Sequence, residues 1–132
     1  MVIGIGIDII DVERVRKLAE KNPRFLERIF TPKEIDYCSK KKNRYQNLAA
    51  RFAAKEAFLK AIGLGFRNGI YWTDIEVEND PMGKPLFSFH RKAKEVLETH
   101  RIHKALLTLS HDRPYAVAHV ILEGRNDEGS DR

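Results

Sequence analysis

The stretch RFAAKEAFLKA, residues 51–61, constrains this chain more than any other. Six of its eleven residues are Ala or Phe, which favours a helix, and a packed one. Arg51, Lys55, Glu56 and Lys60 are set into the same run. A fold that buries this helix must also find a place for its charges, because an unpaired buried charge is costly. The pattern predicts a helix over about 47–62, ended by Gly63. On a wheel of 3.6 residues per turn, Leu48, Phe52, Leu59 and Ile62 form the buried stripe. Glu56 and Lys60, four apart, share a face beside that stripe, and Lys55 falls almost within it. Ala49, Ala53 and Ala57 are small and are expected to leave room beside them.

The first strand gives that helix a partner. VIGIGIDII, residues 2–10, puts Ile3, Ile5, Ile7 and Ile9 on one face and Val2, Gly4, Gly6, Asp8 and Ile10 on the other. Two glycines followed by an acid on one face mark a close backbone approach. If this strand packs on the helix, Asp8 and Glu56 meet. Two unpaired carboxylates would repel unless a cation joins them, and a small oxygen-only donor set suits Mg²⁺. Taken alone, Glu56 and Lys60 read as a helical ion pair worth a few tenths of a kcal/mol.

Around these elements the chain mixes helices and strands without βαβ alternation. DVERVRKLAEKN reads as a helix with Val12, Val15 and Leu18 inward, interrupted by Pro23 and followed by a short helical RFLERIF. TPKE at 31–34 is a helix start, with Thr31 as N-cap, Pro32 at the first helical position and Glu34 closing the box; that helix is expected to run to about Lys42. GLGFRNG is a loop; WTDIEVE and PLFSFH are strands; RKAKEVLETH is an amphipathic helix; KALLTLSH and YAVAHVIL form a hairpin across DRP. The expected fold is α+β, helices packed on an antiparallel sheet, in one domain over 1–122. The polar tail 123–132 is expected to be disordered.

Composition narrows the function classes. One cysteine, Cys38, excludes a disulfide framework and any Cys-rich metal site, and fits a reducing compartment. The first ten residues are too short to span a bilayer and lack the features of a signal peptide, so a soluble, cytoplasmic protein without membrane attachment is expected. The net charge is +5, yet residues 40–67 hold eight Lys or Arg against the single acid Glu56, a local +7. Such a concentration suits an anionic ligand. Lys40–Arg44 alone reads equally well as a solvated helix end. Near the chain's end, His111 closes a strand at a hairpin mouth, with the Ser110 hydroxyl beside it. No Ser–His–Asp order or metal-binding His spacing occurs elsewhere, and His90, His100, His103 and His119 read as structural or exposed.

Three segments together resemble the holo-[acyl-carrier-protein] synthase family, the short type of 4′-phosphopantetheinyl transferase. They are GIGIDIIDVERV (4–15), RFAAKEAFLKAIG (51–63) and LSHDRPYAVA (109–118), with the short turn GKP at 83–85. The resemblance spans about residues 1–122. It implies transfer of the phosphopantetheine arm of coenzyme A to a serine of apo acyl carrier protein, with Mg²⁺, in fatty acid biosynthesis. By matching position, Asp8 and Glu56 would hold the metal. Glu56, Lys60 and His111 would be catalytic, and Arg51, Lys60, Ser110 and His111 would contact coenzyme A. Lys55 could instead be structural. Either Glu56 or a water at the ion would take the serine proton. Arg14, Arg24, Phe25 and Arg28 match carrier-docking positions; they lie on a basic stripe with Lys17 and Lys21 that suits an acidic partner. The family also implies a homotrimer with active sites between subunits.

Three alternatives compete. A nucleic-acid- or phosphate-binding domain would fit the pI near 9.4, but there is no helix-turn-helix spacing, zinc pattern or stacking set, so no nucleic-acid partner is expected. A silent structural oligomer would treat Glu56 as an ordinary ion-pair residue. A transferase for carriers of secondary metabolism would resemble a doubled chain, and this one is single.

Overall fold

The computed structural model describes residues 1–63 and 69–125. In chain order these are β1 (Val2–Asp11), α1 (Val12–Lys21), α2 (Pro23–Ile29), α3 (Pro32–Ser39) and α4 (Arg44–Ile62). After a short 3-10 turn (Trp72–Asp74) come β2 (Ile75–Asn79), β3 (Pro85–Phe89), α5 (Arg91–Thr99), β4 (Ile102–Asp112) and β5 (Tyr115–Gly124). The expected α+β class holds. Most of the expected loop GLGFRNG lies outside the described residues, as does the tail beyond Arg125.

Local chemistry sets the boundaries. The Asp11 side chain accepts from Glu13 N and the Asn22 side chain from Arg24 N, so each short helix begins on a capping residue. Thr31 and Glu34 form the full capping box, with Pro32 in the first turn. Gly63 ends α4 in the left-handed region, φ 78°, where glycine carries no Cβ penalty. Some elements differ from expectation. α3 stops at Ser39 rather than near Lys42, and α4 starts three residues early at Arg44. WTD forms a 3-10 turn before β2, because Asp74 folds back to accept from Tyr71 N. β5 runs on to Gly124, two residues into the segment expected to be a tail.

β1, β5 and β4 form one antiparallel sheet in that order, and β2 and β3 form a separate hairpin. α4 lies across β1 and β5. A Cβ built on Gly4 would stand 2.5 Å from the Ala61 carbonyl oxygen, and one on Gly6 would stand 2.0 Å from that of Ala57. The two glycines therefore let strand and helix backbones touch. This corrects the expectation that the alanines leave room. Ala49, Ala53 and Ala57 are fully buried, and Ala57 takes the strand directly against its own turn. The core stripe is also broader than the wheel indicated. Leu48 and Leu59 are buried as expected, Phe52 and Ile62 only partly, and Phe58 is at the centre with Ala50 and Ala54. Val15 is the inward residue of α1, whereas Leu18 is exposed.

The two faces of β1 have opposite fates. Gly6 and Ile10 are buried against the helix side. Ile3, Ile5, Ile7 and Ile9, on the far side of the sheet, are between 44% and 65% exposed. These four outward isoleucines form an apolar row that the described residues do not cover.

Candidate active site

The glycine contacts bring Asp8, at the middle of β1, to the edge of α4 that carries Glu56 and Lys60. Lys60 Nζ donates to Asp8 Oδ1 at 2.7 Å and to the Ile7 carbonyl at 3.2 Å. The lysine side chain is 54% exposed and the aspartate 15%. Asp8 is thus held while the ammonium end can turn toward a ligand. Glu56 lies half-buried on the same edge. Burial, and then the Asp8 charge, push its carboxyl above the usual carboxylate range, against the opposing pull of Lys60 and Arg14. Arg14, expected as a docking residue, is therefore close enough on α1 for Glu56 to feel its charge.

Other expected site residues lie elsewhere. His111 is exposed on β4, in register with Ala116 of β5 and, across it, Ile10 of β1. That is two strands across from β1 and two residues along from Asp8's row, on the order of 12 Å. Ser110 neighbours His111 in sequence, but successive strand residues point to opposite faces. Both side chains are exposed, on opposite faces of β4, the edge strand of its sheet. Arg51 is 3% exposed. Its guanidinium stacks over the Tyr37 ring, 4.5 Å from the centroid, and donates to Asn79 Oδ1. Asn79 Nδ2 in turn donates to the Gly83 carbonyl of the GKP turn, so Arg51 supports that turn from inside. Within this chain it does not reach the Asp8 cluster. Arg24 and Arg28 are exposed on α2, while Phe25 is half-buried, its ring edge-on to Phe52 at 6.3 Å.

Sequence reasoning missed two features. The first is a hollow of about 590 Å³ between α1, the start of α4 and the β4–β5 turn. Lys42, Arg44 and Arg113 line it with Tyr45. The local charge surplus was visible, but its convergence with Arg113 from far along the chain was not. The second is the role of Glu34. Its capping-box position was legible, yet it also accepts from Lys55 Nζ and Val77 N in the interior. Cys38 is buried, and burial pushes its thiol up to about 11, which keeps it out of the chemistry. No helix of the described residues is long and apolar enough to cross a membrane.

The profile of the 4′-phosphopantetheinyl transferase superfamily matches residues 4–120, a span that runs from within β1 through α4 and β4 into β5. The chain belongs to that superfamily. Its curated relatives include the holo-[acyl-carrier-protein] synthase of Geobacter sulfurreducens, 50% identical over 93% of this chain and 98% of the relative. The protein of the same name from Clostridium tetani is 48% identical over 94% and 98%. Among solved structures, the holo-[acyl-carrier-protein] synthase of Neisseria meningitidis superposes with a TM-score of 0.86 at 35% identity, covering 93% of this chain and 99% of that one. The Helicobacter pylori synthase, solved in complex with coenzyme A, gives 0.79 at 32% identity, covering 90% and 99%. As a 4′-phosphopantetheinyl transferase the chain is an enzyme, against the alternatives of a basic binding domain or a silent oligomer.

Proposed function

We propose that this chain transfers the 4′-phosphopantetheine arm of coenzyme A to a serine of apo acyl carrier protein, releasing adenosine 3′,5′-bisphosphate. The observation that carries the reading is the meeting of Asp8, Glu56 and Lys60 on one edge of α4. The donor set fits Mg²⁺. Asp8 and Glu56 offer hard carboxylate oxygens, and the upward push on Glu56 is the repulsion and desolvation that a divalent cation relieves. Asp8 and Glu56 would hold the ion, which when bound neutralises charge on a diphosphate and on its leaving oxygen. Lys60 turns its half-exposed ammonium from Asp8 to the phosphates, donating hydrogen bonds there and a proton to the departing bisphosphate. In this reading Glu56 takes the serine Oγ proton as Oγ bonds to phosphorus.

His111 acts in this reading at a site shared between copies. One chain supplies Asp8, Glu56 and Lys60. The next supplies His111 and the basic hollow behind it, whose Arg44 lies twelve residues up α4 from Glu56, about 18 Å. The uncovered row of Ile3, Ile5, Ile7 and Ile9 supports such an assembly, a closed trimer, because exposed apolar rows of this kind mark interfaces. Arg14, Arg24 and Arg28, with Phe25, receive the acidic carrier beside the site. The reaction belongs to the cytoplasm and to fatty acid biosynthesis.

The test is intact mass spectrometry of apo acyl carrier protein after incubation with the chain, coenzyme A and Mg²⁺. A gain of one phosphopantetheine that disappears with chelator is expected. No gain, on a carrier that a known transferase modifies normally, would count against the assignment for that carrier.

A further inference from the structure

Lys55 is a charge this chemistry does not use. It sits one residue before Glu56 on α4 and points the other way, into the interior. Its side chain is 0% exposed, as is that of Glu34, its partner at 2.7 Å. An ammonium has three donors, and all three are taken: by Glu34 Oε1, by the Ile29 carbonyl at 2.7 Å and by the Trp72 carbonyl at 3.2 Å. Glu34 is equally committed, accepting from Thr31 N at 2.9 Å and Val77 N at 2.8 Å. Lys55 Nζ also lies 5.2 Å from the centroid of the Phe30 ring.

These partners sit on separate elements. Ile29 ends α2, Glu34 belongs to α3, and Trp72 opens the 3-10 turn before β2. Stability alone does not explain a lysine here, since a well-packed apolar residue often serves a buried site as well as an ion pair or better. What the ammonium adds is direction, three bonds at fixed angles from one atom of the catalytic helix. One of them grips the last residue of α2, the helix that bears Arg24, Phe25 and Arg28.

We propose that Lys55 is a positioning residue, fixing α2 as a docking platform at a set distance from Glu56 and Lys60. It acts on the acceptor side of the reaction and not on coenzyme A. This rests on the reading above that an acidic carrier docks on α2.

The test compares wild type with Lys55→Met in steady-state transfer to apo acyl carrier protein, with coenzyme A affinity measured separately by calorimetry. Because Lys55→Met leaves Glu34 without its cation, the double variant Lys55→Met, Glu34→Gln, which removes both charges, is assayed beside it. In whichever variant folds by circular dichroism, KM for the carrier rises about tenfold or more, while coenzyme A affinity stays within about twofold of wild type. Equal losses toward both substrates, or an unchanged carrier KM, would overturn the proposal and leave the transferase reading standing. Failure of both variants to fold would reduce Lys55 to a stability element and overturn it as well. No transfer by the wild-type chain would remove both readings together.

Discussion

Lys60 Nζ and Asp8 Oδ1 stand 2.7 Å apart across 52 residues of sequence. The pair closes the junction between the first strand and the central helix, at the edge where Glu56 is also found. The lysine is mostly in solvent, so the bond itself adds about 0–1 kcal/mol to stability. Lys60→Met should therefore lower kcat about tenfold or more while leaving the urea midpoint almost unchanged. A large loss of stability with full activity in the folded fraction would assign Lys60 to structure.

Gly6 is what allows that junction. A Cβ there would stand 2.0 Å from the Ala57 carbonyl oxygen, a backbone atom that cannot move aside without shifting α4. Gly6→Ala should cost about 3 kcal/mol by urea denaturation, the upper range for overpacking. A variant of wild-type stability would show that the strand and helix are not in backbone contact.

Glu56 should make stability depend on pH in a direction unusual for a carboxylate. Burial, then Asp8, holds its folded-state pKa above the ordinary 4.5. Between those two values the folded chain keeps a proton that the unfolded chain has released. Stability therefore falls as pH rises through that window, and ionised Glu56 remains unfavourable above it. Glu56→Gln should flatten this part of the profile and raise the urea midpoint at neutral pH, while transfer falls by about 100-fold or more. An identical pH profile in the variant would remove the account of Glu56 as a strained acid.

The outer isoleucines give a test of assembly. Ile7, 61% exposed at the middle of the row, tolerates a charge if the face meets only water. Ile7→Asp should convert a trimer to monomers by light scattering and abolish transfer, with circular dichroism unchanged. A wild-type chain that is monomeric at assay concentration would exclude the shared site.

Charge reversal on the basic stripe separates docking from chemistry. Arg24→Glu with Arg28→Glu should raise KM for the carrier about tenfold or more and weaken the salt dependence of its association rate. Affinity for coenzyme A should not change. Equal effects on both substrates would place these arginines at the donor site.

Local chemistry was legible in the sequence alone: the helix start at Thr31, the glycine stop at Gly63, and the alternation that put Asp8 on the glycine face of its strand. Those signals act over four residues or fewer, so they are legible without a fold. The meeting of Asp8 with Glu56 was legible only as a condition, that the strand pack on the helix. Tertiary structure supplied the condition and decided what periodicity leaves open. It turned the isoleucine row outward and the glycines inward, filled the expected space at the alanines with strand backbone, and sent Arg51 inward to Tyr37 and Asn79. It also separated His111 from the acids, and joined Lys55 to Ile29, Glu34 and Trp72. A period of two or 3.6 names the members of a face. Which face is buried, and which distant atoms satisfy a buried charge, depends on contacts between residues far apart in the chain.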